Sequence, residues 1–86
     1  MSIPNGYIFA RIFMDSYYRR IKDLREDHDL TQTQVAEYLG MKQSQYSRYE
    51  RGIRDIPTDI LIRLAFLYKT STDYILELTD CVKPYR

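Results

Sequence analysis

Apolar residues recur three and four positions apart along most of this 86-residue chain. That spacing places them on one face of an α-helix. Glycine and proline number only three each, which favours long regular elements. The pattern predicts an all-α fold of five helices, near residues 16–27, 31–40, 43–51, 58–68 and 73–78.

The second and third helices are the best defined, because their end signals are specific. Thr31 and Gln34 are three residues apart and match a capping box, in which each side chain bonds the other residue's backbone amide. Gly40 suits a helix C-terminus, since glycine accepts the left-handed conformation found there, and Gly52 closes the third helix. The residues expected on the inner faces of the pair are Val35, Ala36, Leu39, Tyr46 and Tyr49.

The other three helices are predicted from caps and apolar faces. Asp15 or Ser16 is expected to cap the first, Thr58 the fourth after a turn at Pro57, and Ser71 or Thr72 the fifth. The residues expected in their share of the core are Tyr17, Ile21, Leu24, Ile60, Leu61, Leu64, Ala65, Leu67, Tyr68, Tyr74, Ile75 and Leu78.

The outer side of the third helix carries hydrogen-bonding side chains at Gln43, Ser44, Ser47 and Arg48. Taken alone, such a row is most often an ordinary solvated helix face. The distribution of charge along the chain is more informative than the net charge, which is only +1. Within residues 41–54 one acid, Glu50, stands against four bases, which are Lys42, Arg48, Arg51 and Arg54. A phosphate backbone interacts mainly with the charges close to it, because salt screens electrostatic interactions beyond about 8–10 Å.

Composition and the absence of certain motifs exclude several other classes of protein. The single cysteine, Cys81, excludes an internal disulfide, and His28 has no second metal ligand at a useful spacing. No apolar run approaches the roughly 20 residues of a membrane helix, and the N-terminus does not match a signal peptide. We therefore expect a cytoplasmic protein without a cofactor or bound metal. No nucleophile–base pair, paired carboxylates or phosphate loop is evident, so no enzymatic activity is expected.

The segment LTQTQVAEYLGMKQSQYSRYERG resembles the helix-turn-helix of the phage repressor, Cro and Xre-like regulators. The resemblance extends over residues 17–78 and includes the closing Asp-Tyr-Ile-Leu. It implies a compact five-helix bundle of the lambda-repressor type that binds double-stranded operator DNA, usually as a homodimer. On this basis the chain divides into an N-terminal extension of uncertain structure at 1–13, a helix-turn-helix domain at 14–79 and a tail at 80–86.

The resemblance also implies roles for individual residues. Those expected at base edges in the major groove are Gln43, Ser44, Ser47 and Arg48. Those expected at phosphates are Gln32, Lys42, Arg51 and Arg54. Arg25 and Glu50 match positions that form an ion pair between the first and third helices in some phage repressors.

Two positions depart from the family pattern. Lys42 stands where a capping serine or threonine is common, which predicts a less tightly held start of the third helix. Tyr46 replaces a smaller aliphatic residue, so it must bury its ring and find a hydroxyl partner, or lean outward.

The expected function is sequence-specific DNA binding by a transcriptional regulator, with repression as the expected sign. The alternative is an antitoxin-like or accessory module that acts with a protein partner. The apolar patch within residues 7–13 leaves disorder, docking onto the bundle and dimerisation open.

Overall fold

The computed structural model describes residues 18–84, which contain five helices and no strand. The helices are α1 (Arg19–Asp27), α2 (Gln32–Leu39), α3 (Gln43–Glu50), α4 (Thr58–Leu67) and α5 (Thr72–Ile75). The predicted all-α class is confirmed. No helix in this part of the chain has the length and apolar character needed to cross a bilayer.

The ends of α2 follow the local signals. The Thr31 hydroxyl accepts from the Gln34 amide at 3.1 Å, and the Gln34 side chain accepts from the Thr31 amide at 2.8 Å. Gly40 follows the helix with φ +72°, and the Met41 amide donates back to the Ala36 carbonyl at 3.0 Å. α3 begins after a three-residue turn, and the two helices pack against each other.

Every helix sends at least one fully enclosed side chain into a single core. These residues, all with no measurable exposure, are Ile21, Val35, Tyr46, Leu64 and Ile75. The core therefore depends on all five helices at once, which a chain of this size needs in order to bury enough apolar surface. Most of the predicted core positions between residues 18 and 84 lie in this core or pack against it.

Two sequence-based expectations about helix ends are wrong. Pro57, with φ −59° and ψ 150°, is itself the residue before α4, so Thr58 is already helical and forms no side-chain cap. Leu78 is 72% exposed rather than docked, because α5 ends at Ile75 and the positive φ of Glu77 turns the chain off the helical face. Between the two candidate caps of α5, Ser71 is the one used: its hydroxyl accepts from the Tyr74 amide at 3.0 Å.

The expected caps Asp15 and Ser16, the expected core residue Tyr17 and the extension 1–13 lie outside the described residues. Tyr18, the first described residue, is buried, and its hydroxyl accepts from the Ile56 amide at 3.3 Å. This bond ties the start of α1 to the loop before α4.

The segment after α5 is attached to α1 through Arg20. Its guanidinium donates to the carbonyls of Tyr74 at 2.8 Å and Thr79 at 2.6 Å, and to the Asp80 carboxylate at 2.7 Å. The Thr70 hydroxyl also donates to the Val82 carbonyl. The first residues of the predicted tail at 80–86 therefore lie against the bundle.

Gly40 provides a direct test of the turn between α2 and α3. No atom lies within 4 Å of the position that a Cβ would take, so Gly40→Ala adds backbone strain without a clash. We expect this variant to lose about 1–2 kcal/mol of unfolding free energy in urea denaturation, and Gly40→Asn to lose less, because asparagine visits the left-handed region more readily. Equal losses for the two variants would contradict this explanation.

Candidate nucleic-acid interface

The two sides of α3 have opposite character. Its inner side consists of Tyr46, Tyr49 and Glu50, all buried. Burial of these positions turns the predicted row outward: Gln43, Ser44 and Arg48 are exposed and Ser47 is half-buried. The structure thus places the four expected base-reading residues together on one accessible helix face.

The basic residues predicted at phosphates surround this face along the chain. Lys42, Arg51 and Arg54 are all exposed. Lys42 precedes α3 without a side-chain cap, in keeping with the expected departure at that position. Arg51 follows the helix directly, and the Arg54 amide donates to the Arg48 carbonyl at 3.4 Å. Positive charge is therefore available at both ends of α3.

The predicted pair Arg25–Glu50 is present and forms a two-point contact. Arg25 Nε donates to Glu50 Oε2 at 2.7 Å, and Nη2 donates to Oε1 at 3.1 Å. The remaining Nη1 donates to the Leu30 carbonyl at 3.0 Å. One guanidinium from α1 thereby fixes both α3 and the loop that leads into α2.

Glu50 also accepts hydrogen bonds from α2 and from its own helix. The Tyr46 hydroxyl donates to Oε2 at 2.6 Å, and Gln32 Nε2 donates to Oε1 at 3.0 Å. Tyr46 therefore meets the condition for its burial, a hydroxyl partner inside the core. Its ring also packs edge-on to Tyr49, with the ring centroids 6.4 Å apart.

Gln32 carries this network to the surface. While its Nε2 donates to Glu50, its Oε1 accepts from Gln43 Nε2 at 2.5 Å. Each glutamine is the first residue of its helix, and the bond between the two side chains joins the two helix starts. The sequence marked Gln32 only as a phosphate contact and missed this bridge. The recurrence of glutamine at the two helix starts was the only available signal.

Burial and hydrogen bonding have opposite effects on the pKa of Glu50. Burial alone would raise its pKa, but hydrogen bonds from Arg25, Tyr46 and Gln32 outweigh burial and lower the pKa of the carboxyl below its usual value. The same pairing raises the pKa of Arg25. Burial, with the Glu50 carboxylate beside it, raises the pKa of Tyr46, so its hydroxyl stays protonated and remains a donor.

Arg63 on α4 makes a second contact that the sequence analysis did not predict, and this contact supports the turn between α2 and α3. Arg63 donates to the carbonyls of Leu39 at 3.2 Å and Tyr38 at 2.6 Å, at the C-terminus of α2. A cation at this end also suits the helix dipole. No local pattern links these positions, because Arg63 lies 24 residues beyond Leu39 in the chain.

The side chain of His28 contacts neighbouring residues of the fold. Its Nδ1 lies 2.8 Å from the Leu24 carbonyl, and its ring packs against Tyr68 with the centroids 5.1 Å apart. No group of three or more His, Cys, Asp or Glu side chains positioned for a metal ion occurs among residues 18–84.

Two short helices joined by a three-residue turn, the second with an exposed polar face, define a helix-turn-helix protein. A sequence model of the helix-turn-helix family matches residues 21–75. The chain belongs to this family, and the resemblance to phage repressor, Cro and Xre-like regulators is confirmed.

Curated relatives agree with this assignment. The chain is 46% identical over 68 residues to the uncharacterized HTH-type transcriptional regulator YobD of Bacillus subtilis, covering 79% of this chain and 61% of that protein. It is 43% identical over 58 residues to the HTH-type transcriptional regulator ImmR of the same organism, covering 67% of this chain and 46% of that protein.

The antitoxin PezA of Streptococcus pneumoniae is 40% identical over 43 residues, which cover 50% of this chain and 27% of that protein. The chain spans about three fifths or less of the length of these relatives. No solved structure matches the chain.

The Tyr46–Glu50 bond can be tested with a matched pair of substitutions on one helix. Tyr46→Phe removes a hydroxyl bonded to a buried carboxylate, and should lower the unfolding free energy by about 1.5–3 kcal/mol. Tyr49→Phe removes a hydroxyl with no hydrogen-bond partner among residues 18–84 and should cost clearly less. Urea denaturation followed by circular dichroism measures both. Equal losses would show that the bond is not important for stability.

The lowered pKa of Glu50 predicts an acid-dependent stability. Because the folded pKa lies below the unfolded value of 4.5, the carboxylate stabilises the fold above about pH 4.5, and this contribution is lost as the pH falls through the folded pKa. Denaturation curves from pH 7 to pH 3 should therefore fall more steeply for the wild type than for Glu50→Gln. The difference between the two proteins isolates Glu50 from the other acids, and parallel curves would contradict the assignment.

Proposed function

We propose that residues 14–79 form a sequence-specific DNA-binding unit that inserts α3 into the major groove of double-stranded DNA. The observation that carries this proposal is the outward-facing row of exposed Gln43, Ser44 and Arg48 with half-buried Ser47. The other side of the same helix is held by buried Tyr46, Tyr49 and Glu50. The major groove is about 12 Å wide and admits one helix. A firmly held helix places its outer side chains reproducibly against base edges.

The chemistry of the row suits base readout. Gln43 can pair with adenine through its carbonyl oxygen and an N–H group, and Arg48 can pair with the O6 and N7 atoms of guanine. The hydroxyls of Ser44 and Ser47 both donate and accept, so they contribute contacts with little base preference.

Phosphates are the proposed partners of the basic residues around the row. Lys42, Arg51 and Arg54 supply positive charge that positions the protein without reading sequence. Gln32 begins α2, where free backbone amides attract anions. Its Nε2 has a second N–H group beyond the one donated to Glu50, and this group is the proposed phosphate donor.

We propose a homodimer that places one α3 in each of two successive major grooves about 34 Å apart. Occupancy of such a site in the cytoplasm would repress transcription by obstructing it. The names of YobD and ImmR, transcriptional regulators by description, support regulation as the class of function. The proposed activity requires no cofactor and no catalytic step.

A partner-dependent module is the second candidate. An open apolar groove of about 560 Å³ lies between α4 and the start of α5, and Phe66 on its wall is 75% exposed. The antitoxin name of one relative points the same way. Purified protein that alone shifts an inverted-repeat duplex at moderate salt would favour the regulator. A shift that appears only with a second protein would favour the module.

Selection of bound sequences from random duplexes tests the proposed function directly. We expect a two-fold related motif whose half-site spacing reports the dimer geometry. At the selected site, Gln43→Ala or Arg48→Ala should cost about 1–3 kcal/mol and relax the preference at one position. Arg51→Ala should weaken all sequences alike and lower the slope of affinity against salt by about one.

Gln45→Ala is the matched control for Gln43→Ala. Gln45 is also an exposed glutamine on α3, but it projects roughly 160° away from Gln43 around the helix. Its removal should leave the base preference unchanged. Unaltered operator binding by folded Gln43→Ala would show that the groove assignment is wrong.

A further inference from the structure

We propose that Glu50 is a positioning residue for base recognition, acting through Gln32 to decide which end of the Gln43 amide faces DNA. The proposal rests on the proposed function, since it concerns the readout by Gln43. Its basis is the continuous set of hydrogen bonds that runs from the buried carboxylate to the exposed start of α3.

The direction of these bonds follows from the chemistry of a carboxylate. An ionised carboxylate accepts hydrogen bonds and donates none. Gln32 must therefore turn its NH₂ group toward Glu50, as it does at 3.0 Å. Its carbonyl oxygen then faces the other way and can only accept. Gln43 satisfies it by turning its own NH₂ group inward, at 2.5 Å.

This arrangement leaves Gln43 with two free groups, its carbonyl oxygen and the second N–H. One acceptor and one donor side by side match the major-groove edge of adenine, which offers an N6 donor and an N7 acceptor. A glutamine amide turned the opposite way would bond Gln32 through its oxygen and present only N–H groups. That pattern matches the two acceptors of guanine. The carboxylate thus selects the adenine-reading orientation.

Glu50 is held in place independently of this path. Arg25 and Tyr46 bind it from α1 and from within α3. Removing the Tyr46 hydroxyl therefore disturbs the carboxylate and the core without breaking the path Glu50–Gln32–Gln43. Replacing Gln32 breaks the path and leaves the contacts of Arg25 and Tyr46 with Glu50 intact. The two substitutions separate positioning from stability.

The test compares the adenine-to-guanine preference at the base pair that loses its preference in Gln43→Ala. In Glu50→Gln an amide replaces the carboxylate, and Gln32 is free to turn over. In Gln32→Met the path is absent. We expect both variants to lower the preference about tenfold, within the range that one bidentate contact contributes. Tyr46→Phe should keep the wild-type preference despite its lower stability.

Two further comparisons exclude a merely structural effect. In the Gln43→Ala background, adding Glu50→Gln should change the base preference no further, because the path ends at Gln43. In the protein without DNA, the ¹⁵N order parameter of the Gln43 side-chain amide should be high in the wild type and in Tyr46→Phe. It should be low in Gln32→Met and in Glu50→Gln.

The outcomes distinguish this proposal from the proposed function. If the wild type selects no sequence, the function fails, and the order parameters alone decide whether Glu50 positions Gln43. If the wild type selects a site and folded Gln32→Met retains the full preference, the positioning role is overturned while the function stands. Equal mobility of the Gln43 amide in the wild type and in Gln32→Met would also overturn it.

Discussion

The buried carboxylate of Glu50 is the constraint on which the rest of the helix-turn-helix depends. At 5% exposure it is tolerable only when paired and hydrogen-bonded, because an isolated buried charge is very unfavourable. Its partners Arg25, Gln32 and Tyr46 come from α1, α2 and α3. Satisfying this one group therefore requires three helices to take defined relative positions, which apolar contacts alone do not impose because they are not directional.

This constraint explains how so polar a helix can be firmly held. An isolated helix of eight residues is not stable in water, and α3 is mostly polar. Its stability comes from the inner side, where Tyr46 and Tyr49 pack and Glu50 is bonded. The outer side is consequently not needed for packing and stays accessible. Gln43 is the exception, since it lies on the outer side and yet is connected to the core through Gln32.

The sequence analysis succeeded where the determining interactions are local. The capping box at Thr31, the left-handed Gly40 and the Ser71 cap each depend on residues within a few positions of one another. It failed at Thr58 and Leu78, where the outcome depends on how the chain enters and leaves a helix. A proline in an extended conformation took the cap position before α4, and a positive φ at Glu77 ended the apolar face of α5.

The candidate site divides in the same way. Helical periodicity and the family resemblance were enough to predict that the outer row of α3 and the basic residues around it face outward, and that Arg25 pairs with Glu50. The sequence by itself thus determined the five helices, the fold class and which face of α3 is exposed, because these follow from spacing along the chain. Only the tertiary structure decided that Gln32 bridges Glu50 and Gln43 and that Arg63 holds the end of α2. The same is true of the hydrogen bond that the Tyr46 hydroxyl donates to the Glu50 carboxylate. These contacts join residues on different helices or depend on burial, and no spacing rule specifies which donor reaches a given buried acceptor.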